Sequence, residues 1–527
     1  MDIQGNAGML SFAMVPEIHL APDSNILIKR KEKNMEQITN ITNEIQTEKP
    51  TILYEAQSMR EESVKHFRMS DGSFMAAMYP TPVHFKSEAI GSEETKWEEI
   101  DNTLVETEKG YRAKASPQNI VLPKDLSQGN GVQINDEQYP LSWKYDLAPM
   151  VQPGDSDSDS DPLPVGEKRI ALTNPETKQL SGDERYTALQ KLSGEAVYKG
   201  IKDQVDLEYI VMPTGLKENI VLHSPLAENE YTITYHTGTL TAKQQDEKTL
   251  LLLDEDGETI YEITTPYMTD ANGEISEGIS LTLLDAKDGF AKAKISASRE
   301  WLDEPDRTYP VRLDPVTRSK LQSANIQYAY TDSANPGVNH HNFDLMPVGR
   351  YSSSCIYTSY LKFTGMPSLP PASAITEASL GLVIPDYILN GNQMGYYLSV
   401  QNNIVVKKIN SAWDPNTINW SNSQQLQVSP VVSAYCKTDA INKLYTWDIT
   451  KMVSEWYQLS NVNNNNGLQL SSVETSQDKY VRFVSPMIGS QYANMYPQVY
   501  VTYRTQIGLE DYWTAHEQHL GRSGIPL

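Results

Sequence analysis

From Ser70 onward, hydrophobic and polar positions alternate in short runs broken by turn residues, the period of two that sends successive side chains to opposite faces of a strand. The alternation is clearest in Tyr231-Ile233-Tyr235 and Ile279-Leu281-Leu283. It predicts strands at Pro82 to Phe85, Trp97 to Leu104, Leu207 to Met212, Tyr231 to Tyr235 and Ile279 to Leu283. Asp254 to Glu258 reads DEDGE between the apolar runs Leu250 to Leu253 and Ile260 to Ile263, which is a hairpin signal. The same grammar returns after Pro315 at Tyr357 to Phe363, Ser379 to Ile384, Leu468 to Leu470, Val481 to Val484 and Gln498 to Tyr503. One segment has another period. In Asp448 to Tyr457, Ile449, Met452, Val453 and Trp456 follow i, i+3, i+4, i+7, with Asp448 or Thr450 able to cap the first turn. A single helix among many strands predicts a mainly β chain: a β-rich N-terminal region, then an antiparallel β-sandwich, jelly-roll-like, with one crossover helix.

At roughly 100 to 200 residues per domain, a chain of 527 residues should hold two to four domains. Charge suggests where to cut it. The chain has 44 Lys plus Arg against 68 Asp plus Glu, a net of -24, yet residues 317–527 hold 13 acidic and 13 basic side chains. All of the excess lies before Pro315–Val316, so the expected division is an acidic β-rich region at 61–316 and a neutral sandwich at 317–505. Residues 1–60 are polar, with a short helical pattern through Met35, Ile38, Ile41 and Ile45, and read as a partly disordered leader. Residues 506–527 read as a connector. Asp155 to Asp161 alternates DSDSDSD; an EF-hand loop needs Gly at its sixth position and Glu at its twelfth, where Ser160 and Gly166 stand. A solvated linker is the expectation.

The acidic balance opposes nucleic acid and anionic lipid as partners. No apolar run reaches eighteen residues, so no helical membrane span is expected. Met1 to Ala21 lacks a basic n-region, so an export leader would precede Met1. Two cysteines, Cys355 and Cys436, cannot build a disulfide framework or a four-cysteine zinc site; one bridge or two buried thiols both fit. His516-Glu517-Gln518-His519 sets its histidines three apart, where a zinc-binding helix needs four. His340 and His341 are adjacent and would diverge on a strand. Glu98, Glu99 and Asp101 are carboxylates among 55 in the first part, which is no evidence for a glycosidase pair. There is no nucleophile elbow, Walker loop or dinucleotide fingerprint. The chain is expected not to be an enzyme and to need no cofactor. Loop carboxylates such as Asp332 and Asp344 are the candidates for calcium, which no ligand spacing here demands. What remains is aromatic: 30 Tyr against 8 Phe, with Trp413, Trp420, Trp447 and Trp456 all in the neutral part. Sugar faces stack on exposed Trp or Tyr rings, which makes Trp413, Trp420, Tyr387, Tyr396 and Tyr397 the candidate ligand contacts. Against this, Trp456 lies on the apolar helix face, and a tryptophan beside a strand is more often core.

The second half resembles the DNRLRE domain, a carbohydrate-binding module family 96-like sandwich. The resemblance rests on Tyr330-Thr331-Asp332 with Asn335-Pro336 and Asn339, then Leu345 and Val348-Gly349. It continues through Tyr360-Leu361-Lys362-Phe363, Trp413 with Trp420, Trp447-Asp448-Ile449-Thr450, Asn466-Gly467-Leu468 and Pro497 to Tyr503. It departs from the pattern at His340-His341. The first half is similar to the region that precedes this domain in secreted, wall-associated YD-repeat (RHS-type) bacterial proteins. That similarity lies in Met69 to Ser73, Pro82 to Phe85, Trp97 with Ile100 to Leu104, Leu207-Glu208-Tyr209, Lys217 to Leu222, and Tyr309 to Val311 with Leu313-Asp314-Pro315. Gly508 to Thr514 looks like the entry to their repeat shell. The resemblance implies a secreted or cell-wall-associated protein, a polysaccharide or envelope glycan as partner, and a downstream repeat region of the same polypeptide. It brings no catalytic residue.

Overall fold

The alternating strands close into two sandwiches in the computed structural model. It describes residues 49–505 apart from several internal segments, the longest being 148–166, 170–188 and 394–401. The helical pattern at 35–45, the 155–161 linker and the 506–527 connector lie outside the described residues. The chain is mainly β, with antiparallel pairing throughout its described ladders.

The first sandwich packs an eight-stranded sheet against an eleven-stranded one. Trp143, Tyr231, Tyr235 and Ile295 of the smaller sheet meet Tyr198, Leu207, Tyr209 and Ile220 of the larger in one buried cluster. The DEDGE segment is a hairpin turn: Thr249–Leu253 and Thr259–Thr264 pair antiparallel with Leu252 opposite Tyr261. The Asp254 carboxylate accepts from the backbone N–H groups of Asp256 and Glu258 at 3.1 and 2.9 Å, and Gly257 supplies the positive φ of +82° that closes it.

The second sandwich does not follow the cut at Pro315. Its six-stranded sheet runs, in spatial order, Ile52–Glu55, Val64–Met69, Phe74–Met78, Gln498–Arg504, Ala374–Ile384, Lys443–Asp448. Three strands from the acidic side of the boundary, one of them inside the stretch read as leader, therefore build half of this sheet. Phe74 pairs with Tyr503 and Met78 with Val499. The reason is burial: Phe-Met-Ala-Ala-Met is apolar on both faces, so the strand can only be central. Ala76 and Met78 enter the core between the sheets, while Met75 and Ala77 enter a second cluster with Tyr79, Val83, Ile100, Leu192 and Tyr496. The facing eight-stranded sheet contributes Leu361, Val406, Leu470 and Phe483, which meet Leu380, Trp447, Val501 and Tyr503. The expected helix spans Thr450–Gln458 and lays Met452, Val453 and Trp456 on this core; the Asp448 carboxylate accepts from the Thr450 N–H at 2.9 Å.

Strand Gly215–Leu222 joins the two bodies. Leu216 and Ile220 point into the first core, and Glu218 shares their face by alternation, with the Tyr145 hydroxyl donating to it at 3.0 Å. Lys217 points the other way and donates to Asp314 at 2.9 Å and to both oxygens of Asp344 at 3.3 and 3.2 Å. Nearby, Tyr267 from the acidic region stacks on Phe343 at 4.9 Å between centroids.

Candidate functional site

Four strands and one turn of the second sandwich bring a set of aromatic rings together. Tyr330 ends strand Ile326–Asp332, Tyr357 begins Ile356–Phe363, Tyr480 begins Lys479–Val484, and Tyr351 follows Leu345–Arg350 in a serine-rich turn. Gly349 stands in the ladder between Tyr357 and Tyr480, paired with both. It has no side chain to separate the rings, whose centroids lie 6.2 Å apart. Its φ of +118° and the 2.2 Å that would separate a Cβ from the Lys479 carbonyl oxygen allow only glycine here. Tyr351 meets Tyr480 edge-on at 5.3 Å and Tyr357 at 6.4 Å. The Arg482 guanidinium lies 5.7 Å from the Tyr480 centroid, near enough for a cation–π contact. Tyr351 is 48% exposed and Tyr357 half-buried, whereas Tyr480 is buried behind them. The outcome is one open phenol ring backed by two fixed rings and a cation.

The inner end of the array is closed. His340 stacks on Tyr330 at 4.4 Å with the planes 2° apart, and its Nδ1 lies 3.3 Å from Glu277 of the acidic region. His341 turns instead to Asn339. The two histidines diverge as adjacent residues do. Asp332 accepts from the N–H of Ala334 at 2.8 Å, from Asn335 Nδ2 at 2.7 Å and from the Cys355 thiol at 3.2 Å. Asp344 faces Lys217. The two carboxylates considered for calcium are thus each held by protein donors, and no cluster of metal-ligating side chains occurs among the described residues.

Cys355 and Cys436 are free thiols, so the bridge between them is not made. Burial pushes the Cys355 thiol up to about 11, with the Asp332 carboxylate adding to the rise. It stays protonated and unreactive at neutral pH. Trp413 packs with Ala329, Tyr360, Ile409 and Ile418; it is 8% exposed, and its indole N–H donates to the Asn466 carbonyl at 2.7 Å. Trp420 opens the short helix Trp420–Ser423 and is half-buried. Trp447 and Trp456 are core. Tyr387, Tyr396 and Tyr397 lie outside the described residues. The array Tyr351–Tyr357–Tyr480 was not singled out from sequence. Its only trace there is a glycine flanked by tyrosine-bearing strand ends.

The family model of carbohydrate-binding module family 96 matches residues 320–496. The chain is 23% identical over 466 residues, 85% of its length, to the tRNA nuclease WapA of Bacillus subtilis (strain 168). It has the same identity over the same share to the tRNA3(Ser)-specific nuclease WapA of Bacillus spizizenii. It spans 18% of the length of these relatives. A Wall-associated protein of Geobacillus stearothermophilus is 22% identical over 223 residues, 42% of this chain and 76% of that protein. The chain is thus similar to wall-associated proteins, and part of it to a carbohydrate-binding module. Among the described residues no helix is long and apolar enough to cross a membrane.

Proposed function

We propose that this chain is a non-catalytic region of a secreted, wall-associated protein, whose DNRLRE-type sandwich holds an envelope polysaccharide through Tyr351, Tyr357 and Arg482. The observation that carries the reading is the open ring of Tyr351, fixed edge-on by Tyr480, within the part that matches a carbohydrate-binding module. A pyranose C–H face stacks on such a ring, and neighbouring hydroxyls reach the serine-rich turn Ser352-Ser353-Ser354. The Arg482 guanidinium, 5.7 Å from the Tyr480 centroid behind the open ring, adds positive charge that would favour an acidic sugar. Retention of the full chain on insoluble wall polysaccharide, compared by affinity-gel retardation with Tyr351→Ala, tests this. The variant should bind roughly five- to tenfold more weakly. Equal retention of both proteins would remove the array from the reading, and no retention on any polysaccharide would remove the sugar.

A second reading has its own support. The chain spans 18% of the length of relatives named as nucleases, and this reading assigns any nuclease activity to another part of such a polypeptide. In that reading residues 61–505 brace a downstream YD-repeat (RHS-type) shell. Co-purification with a separately expressed repeat region supports it, and failure to associate counts against it.

A further inference from the structure

Lys217, Asp314 and Asp344 form a buried triad that the glycan-binding reading does not use. The Lys217 side chain is 6% exposed, Asp314 7% and Asp344 15%. The chain holds them rigidly. Asp314 lies in the break between strands Val311–Leu313 and Val316–Ser319, and both of these pair with the strand that carries Lys217. Ile220 opposes Leu313 and Lys217 opposes Val316, so the backbone on either side of Asp314 is fixed against the Lys217 strand. The Glu218 N–H donates to the Pro315 carbonyl at 2.8 Å, which pins the break itself. Tyr267 is a further side chain that addresses the Asp314 carboxyl.

From this geometry we propose that Lys217 and Asp314 condense to an intramolecular amide, with Asp344 as the proton carrier. The new bond joins Lys217 Nζ to Asp314 Cγ, and the bond that breaks is Cγ to one carboxyl oxygen. The ammonium brings three protons. Asp344 relays two of them to the departing oxygen, which leaves as water, and the third stays on the amide nitrogen. Atoms and charge balance without an oxidant, a reductant or an activating cofactor: one cation and one anion become one neutral amide and one water.

Two physical arguments favour the step. Amine and acid are already in contact at 2.9 Å, so the translational and orientational cost of bringing them together was met during folding. Condensation also removes two charges from a dry site that holds one ammonium and two carboxylates, an arrangement expensive to keep. Burial pushes the Asp314 carboxyl up against the pull of Lys217, and Asp344 adds to the rise. Burial alone would lower Lys217, but the two carboxylates raise it. The reactive pair of neutral amine and neutral acid is consequently a minor protonation state. The reaction is a slow, single event per chain.

The experiment is the intact mass of the purified full chain after prolonged incubation at neutral pH, followed by peptide mapping. A mass lower than the sequence by one water, with a branched peptide joining the Lys217 and Asp314 segments, is the expected result. Lys217→Ala and Asp344→Asn should both keep the full mass. Asp344→Asn removes the proton carrier while leaving amine and acid in place. A wild-type chain that keeps its full mass overturns the proposal whether or not either variant folds. A branch to Asp344 overturns the assignment of Asp314 as the acid, and condensation at the wild-type rate in Asp344→Asn overturns the role of Asp344.

Discussion

Glu218 carries an acid into the core of the first sandwich. Burial pushes its carboxyl up to about 7 from the ordinary 4.5, although Tyr145 donates a hydrogen bond to it. Between those two values the folded protein keeps a proton that the unfolded chain releases, so stability is full below pH 4.5 and falls as pH climbs toward 7, by up to roughly 3 kcal/mol. Melting temperature measured from pH 4.5 to 8 should decline, and Glu218→Gln should flatten that slope. Glu55 has the opposite sign. Burial would raise it, but the His84 imidazole 3.4 Å away and the hydrogen bonds from Arg60 hold it near 2, so its contribution stands above pH 4.5 and is lost as pH falls toward 2. Neither role could be read from the sequence, because one carboxylate among 68 has no local mark of its burial. The ring array was hidden for a related reason. Tyr330, Tyr351, Tyr357 and Tyr480 come from separate strand ends, and only pairing through Gly349 places the last two side by side.

Elements with local signatures were legible. The hairpin around Gly257 needs a positive φ and an aspartate to cap its N–H groups, and both are written within five residues. The helix Thr450–Gln458 shows its buried stripe by spacing alone. Strand Phe74–Met78 had no such mark. Its partner Gln498–Arg504 lies more than four hundred residues away, and a continuous apolar run fits a buried strand or helix equally. The structure makes it the most sensitive element of the second sandwich, because Ala76 and Ala77 face different cores and neither has room to turn outward. Ala76→Glu should cost about 4 kcal/mol or more by burying an unpaired charge. Thermal melts followed by the fluorescence of Trp447, which shares that core, should show the second sandwich melting early; an unchanged melt would contradict the placement of this strand.

At the scale of the molecule, charge and pairing answer different questions. The drop in acidity after Pro315 describes what faces water, whereas the sheet is fixed by buried complementarity, and the two need not change at the same residue. A fragment of residues 317–505 lacks three of the six strands of one sheet. It should expose the apolar flank of Gln498–Arg504, bind a hydrophobic dye and aggregate, while a chain extended to include 51–79 should stay monomeric by size-exclusion chromatography. A monomeric, cooperatively melting 317–505 would contradict this. The same sheet fixes how the body hangs in its polypeptide. Ile52 lies opposite Met69, and Phe74 opposite Tyr503, so the backbone enters and leaves at one end of the sheet, about three strand spacings or ~14 Å apart. Tension applied through the two flanks would therefore run through a narrow four-strand patch. Both sandwiches would then sit beside the load rather than in its path, and under the glycan-binding proposal the ring array of the second would stay undistorted while the flanks are pulled.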